Sequence, residues 1–144
     1  STLRLTVERP SDFLDIKPGD SICCNGVCLT VETFDAQSMQ FTLGLETLQV
    51  TGWTAATFQG RSINLERSLR MGDRIHGHMV TGHVETMAQV SAVEDGQSWV
   101  IDFKVENLNR KLIWHKGSVT LNGVSLTVNK LSENFVQVCL IPET

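Results

Sequence analysis

The sequence has no apolar run long enough to cross a bilayer, and its first residues lack the apolar core of a secretion signal. It also lacks a basic excess, since 12 lysines and arginines face 16 acidic residues and the net charge is −4. This balance argues against nucleic acid or anionic membrane as the main partner. With 41% hydrophobic and 19% charged residues, the composition predicts a soluble globular protein.

The four cysteines lack the spacing of a metal site or a CxxC redox motif. Cys23 and Cys24 are adjacent, Cys28 follows four residues later, and Cys139 is remote. Adjacent cysteines strain a mutual disulfide, so reduced thiols in a cytoplasmic protein are expected. Cys23, Cys24 and Cys139 are predicted to be small, buried, apolar side chains.

The chain contains an internal repeat with an offset of 97 residues. Residues 19–47 align without a gap to residues 116–144, and eleven of these 29 positions are identical. Solenoid repeats have periods of roughly 20–50 residues, so this unit is the size of a small domain. The repeat therefore predicts two similar domains, at residues 1–76 and 77–144.

Turn and strand signals predict an all-β fold. Asn25-Gly26 and Asn122-Gly123 lie between β-rich runs and are typical of tight hairpin turns. Short strands with turn signals roughly every eight to twelve residues favour two similar Greek-key antiparallel β-barrels with short helices. Helical turns are predicted at residues 12–16 and 107–114, and further strands at residues 62–66 and 84–93.

Several motifs together resemble the riboflavin synthase family. They are the Asn-Gly-x-Cys/Ser-Leu-Thr-Val pattern in both copies and the segments at residues 63–67, 77–84 and 140–144. The resemblance spans essentially the whole chain. It implies two six-stranded barrels, each binding one 6,7-dimethyl-8-ribityllumazine. It also implies a transferase that moves four carbons between the two lumazines, giving riboflavin and a diaminopyrimidine without metal or cofactor.

The resemblance further implies a homotrimer in which one subunit's first barrel faces a neighbour's second barrel, and lumazine synthase is a candidate partner. The family has a strand before the first copy and a closing segment after the second that find no match here. We therefore expect a chain truncated at both ends. Two similar barrels would hold two identical substrates face to face, and such orientation is worth roughly 7–11 kcal/mol.

The substrate-binding residues follow from the same resemblance. Cys28 and Thr30 alternate along one strand, and Ser125 and Thr127 do so along its repeat, so each pair points to one face. Strand propensity alone would also explain the threonines, but their occurrence in both copies favours a site. The full implied set is Cys28, Leu29, Thr30, Thr42, Leu45, Glu46, Thr47, Gly82, His83, Val84, Lys116, Ser125, Leu126, Thr127, Ile141, Pro142, Glu143 and Thr144.

The implied catalytic set is His83, His78, Cys28 and Ser125. An imidazole that titrates near neutrality suits proton removal from the acidic C7 methyl group of the lumazine. Structural histidines, a surface role for Lys116 and a purely polar wall at Cys28 remain alternatives. A metal cluster of the neighbouring histidines is disfavoured, because carboxylate or cysteine ligands at suitable spacing are missing.

Three functions compete at this point. The first is the enzyme, and the second is a non-catalytic lumazine- or flavin-binding antenna protein of the same family. The third is a ligand-free β-barrel interaction module. Polar groups in both copies favour the enzyme, and the stoichiometry of ribityllumazine binding separates the three.

Overall fold

The computed structural model describes residues 2–94, 96, 98–106, 108–142 and 144. The contacts divide the chain into two units, which are Ser1–Asp73 with Thr81–Glu85 and Arg74–Val80 with Thr86–Thr144. The strands and helices, in chain order, are β1 (Leu3–Glu8), β2 (Ser21–Cys24), β3 (Val27–Phe34), β4 (Ser38–Leu43), α1 (Leu45–Thr51), α2 (Ala55–Phe58), β5 (Leu65–Arg67), β6 (Gln89–Glu94), β7 (Trp99–Lys104), β8 (Ser118–Leu121), β9 (Val124–Ser132) and β10 (Phe135–Leu140).

The first unit is an antiparallel sheet with the strand order β1-β4-β3-β2-β5. Strands β2, β3 and β4 follow one another as neighbours, and β1 returns beside β4, which is Greek-key connectivity. One face of the sheet is apolar, because alternate residues of each strand point the same way. Phe41, Met39, Ile22 and Leu43 form the fully buried centre of this core.

The second unit has the strand order β6-β7-β10-β9-β8. Its strands β8, β9 and β10 begin 97 residues after β2, β3 and β4. The register is also repeated, since Cys23 pairs with Cys28 as Thr120 pairs with Ser125. Its core is built from smaller side chains, and Val128, Val136 and Val138 are its fully buried members. The predicted all-β duplication is therefore confirmed.

Both predicted hairpin turns are confirmed. Asn25 and Gly26 have φ values of 45° and 86°, and Asn122 and Gly123 have 52° and 87°. Two consecutive positive φ angles define the type I′ turn, whose twist matches that of the flanking strands.

Both predicted helical turns are wrong. Residues 12–16 form isolated turns, with Phe13 N–H donating to the Pro10 carbonyl at 3.0 Å. Residues 108–114 likewise contain a turn, closed by Leu112 N–H and the Asn109 carbonyl at 3.0 Å, and Asn107 lies outside the described residues. The first segment instead turns so that Phe13 and Ile16 both enter the core, where they are 7% and 5% exposed.

Two predicted strands are displaced. The strand expected at residues 62–66 is Leu65–Arg67, because only these residues pair with β2. The strand expected at residues 84–93 begins at Gln89, since Thr81–Glu85 packs with the first unit instead. The helix Leu45–Thr51 was not predicted, although Gly44 and Gly52 flank it as caps.

Two further expectations need correction. Cys24 is buried and Cys23 half-buried, but Cys139 is exposed, because its neighbour Val138 takes the core face of β10. The sheets have five strands each in the described part of the chain, where the resemblance implied six. No helix among the described residues is long and apolar enough to span a membrane.

Candidate functional site

The outward face of the first hairpin carries a pair of thiols. Cys23 on β2 lies directly opposite Cys28 on β3, while Ile22 and Leu29 point to the other face and enter the core. Thr30 follows on the same face as Cys28 and is exposed. The face therefore offers sulfur and hydroxyl groups to a ligand, backed by a rigid apolar core.

Gly82 lies against this face. Its carbonyl accepts a hydrogen bond from Cys28 N–H at 2.8 Å, and its φ is 73°. A Cβ atom at Gly82 would come within 2.9 Å of both Cys28 N and Cys28 Cβ. Only glycine fits here, and the exposed His83 and half-buried Val84 continue the segment.

The outward face of the second hairpin carries a bridging histidine. His78 Nδ1 lies 2.6 Å from Ser125 Oγ, and His78 Nε2 lies 3.0 Å from Thr120 Oγ1. One ring nitrogen of a neutral imidazole donates and the other accepts, and each hydroxyl can rotate to suit. The ring is half-buried. This arrangement can pass a proton between a hydroxyl on the face and a bound molecule.

A glycine also precedes this histidine. Gly77 has a φ of 83°, and a Cβ atom there would overlap the Ser125 hydroxyl. The segment at residues 77–83 thus contains two Gly-His pairs, and each glycine lies against the equivalent residue of one copy. The predicted domain boundary places both pairs in the second domain. The contacts instead assign residues 81–85 to the first unit, and the predicted boundary at residues 76/77 stays a prediction.

The other predicted residues on the two hairpin strands divide by face. Leu29 is 4% exposed and lies in the first core. Its repeat partner Leu126 packs against the second core. Thr127 is exposed and follows Ser125 on the outward face, as Thr30 follows Cys28. The structure therefore brings the cysteine, serine and threonine side chains to the outward faces and takes both leucines away from them.

The second predicted segment ends β4 and opens helix α1. Thr42 is exposed on β4, and Leu45 and Glu46 are exposed in the first helical turn. The Thr47 carbonyl accepts a hydrogen bond from the Thr51 hydroxyl at 2.6 Å. In the second copy Ile141, Pro142 and Thr144 are exposed, with Thr144 N–H donating to the Ile141 carbonyl at 2.9 Å. Glu143 lies outside the described residues.

Lys116 has a backbone conformation that disfavours a side chain. Its φ is 65°, and the equivalent residue of the first copy is Gly19, with a φ of 94°. Both make the same hydrogen bond, from Lys116 N–H to the Val128 carbonyl at 2.9 Å and from Gly19 N–H to the Val31 carbonyl at 2.8 Å. A non-glycine residue in this region costs about 1–2 kcal/mol. The backbone of Lys116 is therefore strained, and the residue presents an exposed ammonium group despite this strain.

Three residues of these faces were not predicted from the sequence. Thr120 and Cys23 are the cross-strand partners of Ser125 and Cys28, and Gly77 contacts Ser125. A signal for the first two was present. A two-residue Asn-Gly turn pairs the second residue before it with the second residue after it.

The thiols of the first unit differ in their environment. Burial raises the pKa of Cys24 to about 12, and the neighbouring sulfurs add to this effect. Burial also raises the pKa of Cys23, and the charge of Glu66 contributes. Within the described residues, no three histidine, cysteine or acidic side chains are placed to hold a metal ion.

A cleft of about 630 Å³ lies elsewhere on the first unit. Its walls include Asp15, Asp20, Arg67, Arg70 and Asp73, and it contains none of the predicted site residues. Asp15 forms ion pairs with both arginines, at 2.8 Å in the case of Arg67. The cations are thus already paired, so the hairpin faces remain the candidate site.

Comparison with known proteins identifies the class. The model of the lumazine binding domain matches residues 1–68 and 81–144. This chain belongs to the lumazine binding domain family, and each copy of the repeat contains one such domain.

The chain is also similar to individual members of this family that are riboflavin synthases. The chain is 36% identical to riboflavin synthase of Bacillus subtilis over 143 residues, 99% of this chain and 66% of that protein. It is 39% identical to riboflavin synthase of Photobacterium phosphoreum, over 92% of this chain and 61% of the relative. For riboflavin synthase of Escherichia coli the identity is 36%, over 96% and 66%. The chain thus spans slightly less than two thirds of the length of these relatives.

Solved structures show the same fold. LumP complexed with riboflavin matches with a TM-score of 0.77 and 21% identity, over 96% of this chain and 76% of LumP. LumP complexed with 6,7-dimethyl-8-(1'-D-ribityl) lumazine matches with a TM-score of 0.76, over 97% and 76%.

Proposed function

We propose that this chain forms the lumazine-binding units of a riboflavin synthase. The reaction transfers a four-carbon unit between two molecules of 6,7-dimethyl-8-ribityllumazine and yields riboflavin and 5-amino-6-ribitylaminopyrimidinedione. The observation that carries the proposal is the repeated hairpin face, with Cys28 in one unit and Ser125 in the other at equivalent register. Identities of 36–39% to riboflavin synthases support the same activity.

The duplication suits this chemistry because the two substrates are identical but must act differently. One lumazine donates four carbons and the other accepts them. Similar faces bind the same heterocycle, and different polar groups on each face favour different roles. The cross-strand pair on the first face is two thiols, whereas on the second face it is two hydroxyls bridged by an imidazole.

The imidazole groups supply the acid–base steps. His78 already contacts Ser125 at 2.6 Å, so we assign it to proton transfer through that hydroxyl. His83 is exposed beside Gly82, where it is free to meet the C7 methyl group of a bound lumazine. Proton transfer of this kind contributes about 10²–10⁴-fold to a rate.

The remaining residues bind the substrate. Thr30 and Thr127 offer hydroxyls on the two faces, and we assign the exposed Glu46 to accept hydrogen bonds from ribityl hydroxyls. The ammonium group of Lys116 binds substrate at the second site.

The proposal extends to the whole protein. The reaction needs no added cofactor, and the full protein acts as a cytoplasmic homotrimer. Lumazine synthase, which would supply the substrate, is a candidate partner.

The test is direct conversion. The full-length protein mixed with 6,7-dimethyl-8-ribityllumazine alone should produce the absorbance and green fluorescence of riboflavin. His83→Ala should slow this conversion by about 10²–10⁴-fold with binding mostly kept, whereas His115→Ala, at an exposed position outside the site, should not. One lumazine bound per chain without any conversion would support the antenna function instead.

A further inference from the structure

The two hairpin faces differ in the chemistry of one cross-strand pair. In the first unit the pair is Cys23 and Cys28, and in the second it is Thr120 and Ser125. Both cysteines are half-buried and therefore reachable by small molecules. Hydroxyls are inert to mild oxidants, whereas paired thiols are not.

The backbone hydrogen bonds show which kind of pair the cysteines form. Cys28 N–H donates to the Gly82 carbonyl at 2.8 Å and so points away from β2. Cys23 and Cys28 are therefore a non-hydrogen-bonded pair, for which Cα atoms lie about 4.5 Å apart. Their Cβ atoms are expected about 4.5–5.5 Å apart. The expected Cα separation is already within the range of a disulfide, about 4.4–6.8 Å, and the Cβ atoms need to approach by only about 1 Å to reach its range of about 3.5–4.5 Å.

The other two cysteines do not compete for this bond. Cys24 is fully buried in the core, on the face opposite to Cys23. Cys139 belongs to the second unit and is exposed. Only Cys23 and Cys28 are both accessible and paired across strands.

We propose that Cys23 and Cys28 are a redox modification site that a peroxide converts to a cross-strand disulfide. The Cys28 thiolate attacks the O–O bond of hydrogen peroxide, giving a sulfenic acid and hydroxide. The Cys23 sulfur then displaces the hydroxyl group, and the S–S bond forms as water leaves. Two thiols lose two protons and two electrons, and one peroxide becomes two waters.

The surroundings of Cys23 disfavour the first step at that thiol. Burial raises the pKa of Cys23 more than a backbone hydrogen bond from Gly26 lowers it, and the charge of Glu66, its cross-strand neighbour on β5, adds to the rise. A thiolate that forms less readily reacts more slowly with peroxide. We therefore assign the first oxidation to Cys28 and the resolving step to Cys23.

The consequence for ligand binding rests on the proposed function. A disulfide removes the S–H group of Cys28 from the face that would hold lumazine and changes the width of the strand pair. We expect the affinity of the first site to fall about tenfold, as for the loss of one hydrogen bond. The second site, with Thr120 and Ser125, should keep its affinity.

The experiment treats the reduced chain with hydrogen peroxide, removes the oxidant, alkylates free thiols and maps peptides by mass spectrometry. The peptide that contains all three N-terminal cysteines should be about 2 Da lighter, with alkylation on Cys24 alone, and dithiothreitol should reverse the change. Cys139→Ala should behave in the same way. Cys23→Thr and Cys28→Ser install the residues of the second copy and should abolish the change.

Other outcomes overturn the proposal. The proposal is contradicted if Cys23 and Cys28 still react with the alkylating reagent after peroxide treatment, or if each oxidises separately to a sulfinic acid. A disulfide from either residue to Cys24 or Cys139 would also contradict it. Mapping of the unsubstituted chain decides this even if a variant fails to fold. A disulfide in a chain that binds no lumazine would contradict the proposed function alone. Two lumazine sites without any disulfide would contradict the redox site alone.

Discussion

The two units share four strands and differ at opposite edges. Strands β1, β4, β3 and β2 of the first unit correspond to β7, β10, β9 and β8 of the second. The fifth strand lies beyond β2 in the first unit, as β5, and beyond β7 in the second, as β6. The shared four-strand arrangement is thus independent of which edge carries the fifth strand.

Side chains changed more than the backbone between the copies. The bulge between β3 and β4 recurs between β9 and β10 at the equivalent position. Yet Phe41 is replaced by Val138 in the core, and Cys28 by Ser125 on the outward face. The comparison indicates that strand pairing and turn geometry maintain the fold, while single side chains make each site distinct.

The largest expected effect is a loss of stability on truncating a buried side chain in each of the two hydrophobic cores. Phe41→Ala should lower the free energy of unfolding of the first unit by about 3–5 kcal/mol, because it empties a fully buried position. Val138→Ala, the matched change, removes less volume and should cost about 2 kcal/mol. Hydrogen exchange of β3 and β4 against β9 and β10 locates each loss. Equal losses would contradict the expectation that the larger side chain contributes more to the stability of its core.

The next effect tests the bridging histidine of the second unit. His78→Ala removes both ring contacts of Ser125 and Thr120. If the proposed function holds, lumazine binding at one of two sites should weaken about tenfold. Calorimetric titration of both sites measures this. His76→Ala, at an exposed position on the same segment, should change neither affinity. An equal loss of affinity in that variant would show that the contacts of His78 have no specific role in binding.

The smallest effect tests the positive φ shared by Gly19 and Lys116. Gly19→Lys should destabilise the protein by about 1–2 kcal/mol, because φ is 94° there. Lys116→Gly should shift stability in the opposite direction by about 1 kcal/mol or less. Denaturant midpoints measure both. A loss of stability in Lys116→Gly would indicate that the lysine side chain makes stabilising contacts that offset its backbone strain.

Much of the site could be predicted because the repeat marks it. Residues 25–31 and 122–128 show the turn and the alternation directly, so the outward positions of Cys28 and Ser125 follow from period two. The contact between His78 and Ser125 could not be predicted, since 47 residues separate them in sequence. The same holds for Gly82 and Cys28, which are 54 residues apart and joined by a backbone bond.

The sequence by itself determined the duplication, the two type I′ hairpins and the alternation of core and outward residues. These depend on local chemistry, namely Asn-Gly turns that accept positive φ and strand residues of period two. The tertiary structure decided which strand lies at each edge, where residues 81–85 pack, and which groups meet on each face. Those outcomes depend on close packing between distant segments, such as Gly82 against Cys28, and no local pattern encodes them.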